Sequence, residues 1–120
     1  MNEIINQSNW PDFLKLYSAK NAGRPTRLGI FELENGVTND FWLEDGLPLV
    51  AVDFCSKGEH SAINIMLEKY THSVDEPAKL SLVLGEDQTD EGLDITDLEG
   101  RTTMLRLEDA GFERIRPPGS

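Results

Sequence analysis

The segment NWPDFLKLYSAKNAGRP, residues 9–25, decides how the chain begins its fold. Its apolar side chains recur at the spacing i, i+3, i+4, i+7, which places them on one side of a helix: Trp10, Phe13, Leu14 and Tyr17. Asn9 is a favourable N-cap residue, and Gly23 with Pro25 ends the pattern. The segment therefore predicts a helix over residues 10–20 that buries one face.

Beyond this helix most apolar residues recur at every second position, which is typical of strands, and the nearly all-apolar run Leu49 to Phe54 predicts a strand covered on both faces. The predicted strands are short and separated by turn signals: residues 28–33, 41–43, 49–54, 61–70, 80–84, 93–96 and 103–107. The dipeptide Asn35-Gly36 is a strong turn signal. Residues 102–110 also fit a helix with Gly111 as its C-cap, but the turn pattern of residues 97–101 favours a strand.

These elements predict the α+β class, with one N-terminal helix packed on a mostly antiparallel sheet or partly open barrel of about six or seven short strands. A chain of 120 residues fits one domain. We expect residues 1–120 to form that domain, with an ordered core over about 9–108 and a frayed tail ending in Pro117-Pro118-Gly119-Ser120.

The N-terminal residues lack the basic region and apolar run of a signal peptide, and no apolar stretch reaches the ~18 residues of a membrane helix. Cys55 is the single cysteine, which excludes an internal disulfide and is compatible with a reducing compartment. The sequence therefore predicts a soluble, cytoplasmic protein.

The charge balance is strongly acidic, with 22 Asp and Glu against 11 Lys and Arg. Such a chain repels phosphate backbones and anionic lipids, so we expect neither nucleic acid nor membrane as a partner. The stretch from Glu86 to Glu99 contains no Lys or Arg. Its candidate partner-binding residues are Asp87, Asp90, Glu91 and Asp94. Asp94 is expected on the solvent face of its strand, and the alternative role of these acids is solubility alone.

The motifs that would carry chemistry are incomplete. The run Asp87–Gly92 begins like a calcium-binding loop, but Leu98 occupies the position that should supply a bidentate Glu. A zinc site needs three or four convergent ligands, and no such spacing occurs. Cys55 lies among acidic neighbours that disfavour a thiolate, so a small buried or edge cysteine is expected. We predict no catalytic residue, no metal and no cofactor.

Two residues are candidate ligand contacts. His72 can serve as a ligand or a base, although a histidine in a strand is more often half-buried and hydrogen-bonded. Trp42, beside Glu44 and Asp45, can form a binding spot on the surface, although a core tryptophan in a short strand is the commoner arrangement.

A set of short motifs runs from Trp10 to about Leu107. They are Trp10-x-x-Phe13, Ser18, Gly23, Leu47-Pro48-Leu49, Ile63-x-Ile65, Thr71-His72-Ser73-Val74 followed by Pro77, Gly92-Leu93-x-Ile95, and Gly100-Arg101-Thr102-Thr103-Met104-Leu105-Arg106. In these motifs the chain resembles a group of small bacterial proteins known as a domain of unknown function. The resemblance implies the same helix-plus-sheet fold and no established activity.

From these features we expect a non-catalytic accessory or protein-interaction domain whose acidic surface meets a basic protein. One alternative is a small ligand-binding protein or enzyme built around His72 or a pocket under the helix. Another is a homodimer that covers an exposed strand edge, so both monomer and homodimer stay open.

Overall fold

A computed structural model describes residues 2–34 and 37–108. A single turn of 3-10 helix (Gln7–Asn9) leads into the helix α1 (Trp10–Asn21). The described strands are β1 (Asn2–Ile5), β2 (Pro25–Glu34), β3 (Val37–Lys57), β4 (His60–Leu67), β5 (Tyr70–Asp75), β6 (Pro77–Leu84), β7 (Asp90–Asp97) and β8 (Thr102–Leu107). None of the helices in these ranges is long and apolar enough to cross a membrane.

The strands form one antiparallel sheet in the order β1-β6-β7-β8-β2-β3-β4-β5. The sheet curls, so that β4 comes against β6 and β5 against β7, and α1 packs against β3. The predicted α+β class with one N-terminal helix is confirmed. The predicted count of six or seven strands is wrong, because the described part of the chain has eight.

The long strand β3 changes the count in the opposite direction, because it joins two predicted strands into one. The sequence predicts an end at Glu44-Asp45-Gly46, but β3 continues through these residues and changes partner from β2 to β4. Gly46 has a positive φ of 99°, and the pairing with β2 shifts register between Pro25 and Arg27. A bulged register and a glycine bend a strand without ending it, so two predicted strands are one.

Two strands were missed. β1 lies at one edge of the sheet and is held by pairing with β6, a contact that its own four residues cannot signal. β5 was not separated from the strand predicted over residues 61–70, which ends instead at Leu67. The two-residue turn between β4 and β5 contains Lys69 at a φ of 66°, a conformation for which the sequence offers no glycine.

The strand interpretation of the last element is confirmed, since β8 covers Thr102–Leu107, and the helical alternative for its residues is wrong. The predicted turn over residues 97–101 is also confirmed, with the amide of Asp97 donating to the carbonyl of Arg101 at 2.9 Å. The Asn35-Gly36 turn, Gly111 and the tail over residues 117–120 lie outside the described residues.

The helix α1 buries Trp10, Leu14 and Tyr17 as predicted, while Phe13 is half-buried at the margin of the core. Asn9, predicted as its N-cap, makes no capping hydrogen bond with its side chain. The 3-10 turn runs directly into α1, so Asn9 has helical φ and ψ angles instead of the extended conformation typical of a capping residue. The core continues across the sheet through buried aliphatic residues: Leu28, Leu49, Val52, Ile63, Ile65, Leu67, Val74, Leu80, Leu93, Ile95 and Leu105.

Ser18 joins α1 to an open strand edge. The second half of β3 pairs with β4 on one side, and on its other side the amide of Val52 donates to Ser18 Oγ at 2.8 Å. The Ser18 hydroxyl lies 2.8 Å from the carbonyl oxygen of Leu14 and 2.9 Å from that of Val52. The helix thereby takes the place of a strand, which accounts physically for a serine within the helix pattern.

Candidate functional site

The outer face of the sheet, meaning the side of β7, β8, β2 and β3 that points away from the core, carries the candidate site. Leu28, Leu93 and Leu105 point inward and are fully buried, so their neighbours along each strand point outward. The register aligns one row of these outward residues across four strands: Asp94, Met104, Gly29 and Trp42. Two of the residues predicted as binding contacts, Asp94 and Trp42, therefore lie on one face.

Trp42 is 48% exposed and Phe31 is 39% exposed, at diagonal positions of the β2–β3 pair on the outer face. The Trp42 ring rests on the backbone of Gly29, where an added Cβ would lie 2.6 Å from Cε3 of the ring. The guanidinium of Arg27 lies 4.8 Å from the ring centroid. The core placement of Trp42 is wrong, because the glycine opposite gives the ring a platform outside the core.

Asp94 lies on the outer face, as predicted, but it is engaged within the chain. Arg106 Nη1 donates to Asp94 Oδ1 at 2.8 Å, and Asn2 Nδ2 donates to Oδ2 at 3.2 Å. Its side chain is 21% exposed. Asp94 therefore adds a partly neutralised carboxylate to the outer face.

Asp90 is the first residue of β7 rather than part of an open loop. Its Oδ1 accepts hydrogen bonds from the Tyr17 hydroxyl at 3.1 Å and the Gly92 amide at 3.2 Å, and its Oδ2 accepts one from Asn21 Nδ2 at 3.2 Å. Burial and the adjacent Asp90 carboxylate raise the pKa of Tyr17 well above its ordinary value, so the hydroxyl stays a donor. This carboxylate joins α1 to β7 through these hydrogen bonds.

Asp87 and Glu91 are the other two candidate acids, and both are exposed. Asp87 accepts a hydrogen bond from the amide of Thr89 at 3.2 Å, which closes the turn before β7. The structure thus places Asp87 in a loop, Asp90 at the contact between α1 and β7, Glu91 on β7, and Asp94 on the outer face.

Replacing Asp90 by alanine should lower the free energy of unfolding by about 1–3 kcal/mol, because Tyr17 and Asn21 lose a buried acceptor. The matched control is Glu86→Ala in the neighbouring loop, where the side chain is exposed, and for it we expect a change within about 0.5 kcal/mol. Urea unfolding followed by circular dichroism measures both. Equal effects of the two substitutions would contradict the role of Asp90 in joining α1 to β7.

His72 lies half-buried on β5, with its Nε2 3.4 Å from Thr103 Oγ1. Burial lowers the pKa of His72, and the charge of Asp75 only partly opposes that shift, so the ring is neutral at pH 7. A polar cavity of about 180 Å³ adjoins it, lined in part by Asp97 and Arg101. The hydroxyl of Ser73, the next residue along β5, donates to Asn64 Oδ1 at 2.6 Å. His72 therefore has the half-buried, hydrogen-bonded position typical of a strand histidine.

Cys55 is exposed, so the buried alternative is wrong, while the edge alternative agrees with its place on the half of β3 that has left β2 and pairs with β4. It lies on the solvent side of β3 opposite Ala62, because the inward positions of this strand pair go to larger apolar residues. The nearby His60 directs Nδ1 toward Glu76 at 3.2 Å. In the described residues, no group of three or more His, Cys, Asp or Glu side chains is arranged to hold a metal ion.

The pocket under the helix exists as an open groove of about 400 Å³ between α1 and β6. Its apolar lining includes Phe13, Leu16 and Leu82, and Lys20 and Glu3 stand at its polar margin. Leu16 is 71% exposed. The groove is wide open to solvent and is separate from His72.

Sequence reasoning missed the residues that organise the outer face, namely Gly29, Arg27 and Arg106. An arginine at an outward position of an apolar strand is a usable signal for an ion pair, but the partner depends on strand order. Asp97 was also missed as a buried group. It accepts hydrogen bonds from the amides of Glu99 and Arg101 at 2.9 and 3.0 Å, and the turn pattern predicted only the turn itself.

Comparison with known proteins places the fold in context. The YojF protein of Bacillus subtilis has a similar structure, with a TM-score of 0.54 and 8% sequence identity over 88% of this chain and 94% of that chain. At this identity the likeness concerns the fold alone. No curated protein matches the chain. Residues 1–111 match the Family of unknown function (DUF5335). Since that match spans most of the sequence, the chain belongs to this family, and the predicted domain of unknown function is confirmed.

Proposed function

We propose that the chain is a non-catalytic protein-interaction domain that binds a basic protein segment on the outer face of its sheet. The observation that carries the proposal is the pair of half-exposed aromatic side chains, Trp42 and Phe31, on neighbouring strands of that face. Large aromatic residues anchor many protein interfaces, because they bury much area with few rotatable bonds.

The charge around this pair supports a basic partner. Between Phe31 and Gly46 the sequence contains acidic residues and no Lys or Arg: Glu32, Glu34, Asp40, Glu44 and Asp45. Asp40 is exposed and stands opposite Phe31 in the β2–β3 pair. The whole chain carries a formal net charge of −11. An apolar anchor with an acidic margin attracts a segment that combines Lys or Arg with apolar residues.

The shape of the outer face also favours docking. Gly29 has no side chain, so the Trp42 ring lies low on the sheet, and Met104 is half-buried beside it. The ring is held on one side by the sheet and contacted by the Arg27 guanidinium. Because the Trp42 ring is already held in place before a partner binds, little side-chain entropy is lost on binding.

The proposal predicts that Trp42→Ala weakens the partner at least tenfold, a loss of about 1.4 kcal/mol or more. Partners captured at low salt are identified by mass spectrometry, and each purified candidate is then titrated calorimetrically. The matched control is Leu98→Ala, which removes a 72% exposed apolar side chain from the β7–β8 turn and should leave affinity unchanged. Binding of a true partner should also weaken from 50 to about 300 mM salt, as expected for exposed charges.

Three results decide against the proposal. Equal affinities of the Trp42→Ala and Leu98→Ala variants would exclude the outer face as the binding surface. Affinity that is insensitive to salt would exclude a basic partner. A dimer of the parent protein that becomes monomeric on Trp42→Ala would assign the face to a second copy of the chain.

A further inference from the structure

Two carboxylates and one guanidinium meet where β2, β3 and the end of β8 come together. Arg27 Nε lies 3.6 Å from Asp45 Oδ2, and Arg27 Nη2 lies 3.9 Å from Glu108 Oε2. Glu108 directly follows β8, and its amide donates to the carbonyl of Pro25 at 2.9 Å. One positive charge therefore faces two acids that belong to different strands.

Among residues 2–34 and 37–108, two buried atoms in this cluster have no hydrogen-bond partner: Arg27 Nε and Glu108 Oε1. A buried carboxylate oxygen without a donor is unfavourable, because it has left water without compensation. A proton on Glu108 removes this deficit, since a carboxylic acid donates where a carboxylate only accepts. The acceptor for that proton would be the Asp45 carboxylate, which lies on the same Arg27 guanidinium as Glu108.

We propose that Glu108 and Asp45 share one proton, and that this pair is a pH-sensitive latch between the end of β8 and the middle of β3. The latch is closed when Glu108 is protonated and donates to Asp45. It opens when Glu108 loses that proton to solvent, leaving two negative charges beside one guanidinium. The proposal concerns the fold and holds whether or not the outer face binds a partner.

The electrostatics of the cluster agree with this geometry. The hydrogen bond with Asp45 raises the pKa of Glu108 most, followed by burial and by the Asp45 charge, while Arg27 and the Gly46 amide oppose the shift. Because the pKa is raised in the folded state, the stabilising effect is complete below the ordinary Glu pKa. It is lost as the pH rises through the raised value.

Opening of the latch has a readout in Trp42. Both Arg27 distances exceed a direct hydrogen bond, so the guanidinium has room to move toward the acids when Glu108 ionises. Arg27 also contacts the Trp42 ring, and that movement changes the surroundings of the indole. The adjacent Arg106 does not compensate the added charge, because Asp94 holds it at 2.8 Å.

The test is a pH titration of the Glu side-chain carboxyls by carbon-13 NMR, with the Glu108 signal assigned by its loss in Glu108→Gln. In the parent chain Glu108 should titrate above the ordinary value of about 4.3. In Asp45→Asn, where the amide donates to Glu108, its midpoint should fall to that value or below. Trp42 fluorescence should change with the same midpoint in the parent and show no such transition in Glu108→Gln.

Both substitutions preserve side-chain shape, and amide spectra check that the variants fold. Should either variant fail to fold, the Glu108 midpoint in the parent decides alone. A midpoint at or below the ordinary value would overturn the proposal, as would a midpoint that Asp45→Asn leaves unchanged. A Trp42 transition that follows a histidine signal instead of Glu108 would exclude the latch as its cause.

Discussion

Replacing Gly92 by alanine should destabilise the chain by at least about 3 kcal/mol, through strained backbone and overpacking together. Gly92 has a φ of 148°, and a Cβ built there would lie 1.8 Å from the carbonyl oxygen of Leu105. That oxygen belongs to the backbone of β8, which is paired with β7 and with β2, so it cannot move without breaking sheet hydrogen bonds. Against a total stability of about 5–15 kcal/mol, this loss is a large fraction of the free energy of unfolding.

The matched control is Gly100→Ala in the β7–β8 turn. Gly100 also has a positive φ, of 89°, but no atom lies within 4 Å of its built Cβ. This variant should lower the free energy of unfolding by only about 1 kcal/mol, the cost of a positive φ for a residue other than glycine. Urea unfolding of the two variants therefore separates the clash from the backbone strain. Similar stabilities of the two variants would show that β8 does not approach Gly92 as closely as described.

Replacing Trp10 by alanine should lower the free energy of unfolding by about 3–5 kcal/mol, the usual loss for a buried aromatic residue. Trp10 is 1% exposed, and its ring packs edge-on against Phe54 with centroids 5.6 Å apart. Its Nε1 donates to the carbonyl of Ile5 at 3.0 Å. One side chain thus joins the start of α1 to β1 and β3, and its removal leaves a cavity at their junction.

Trp42→Ala serves as the comparison for the same residue type in an exposed setting. Because Trp42 is 48% exposed and rests outside the core, its loss should lower stability by about 1 kcal/mol or less. Thermal or urea unfolding followed by far-ultraviolet circular dichroism measures both variants without relying on the removed fluorophore. A loss below about 1 kcal/mol for Trp10→Ala would contradict the docking of α1 through this residue.

Local patterns predicted the parts of the fold that local physics controls. The helical stripe through Trp10, Leu14 and Tyr17 is buried, and the turn before β8 forms where its residues indicated. β1 escaped prediction because it depends on pairing with the distant strand β6, and the continuous β3 escaped prediction because it exchanges β2 for β4 partway along its length. Where a strand exchanges one partner strand for another, the alternation of apolar and polar residues does not reveal the change.

The candidate site was predicted only in pieces. Trp42 and Asp94 were identified from the sequence, but their placement on one face follows from strand order, which alternation does not reveal. Asp90 resembled an exposed loop acid because its partners, Tyr17 and Asn21, are about 70 positions away in the chain. These long-range hydrogen bonds give Asp90 a structural role, and neither the composition nor the local sequence indicates it.

The central claim, that a basic partner binds the outer face through Trp42, is tested most directly by the two indole signals of the chain. In a proton–nitrogen NMR titration with a purified partner, the indole N–H of Trp42 should shift or broaden, together with the amides of Gly29 and Phe31. The indole N–H of Trp10, which is bonded to Ile5, should stay in place. Shifts confined to the loop around Asp87, with the Trp42 indole unchanged, would contradict the account.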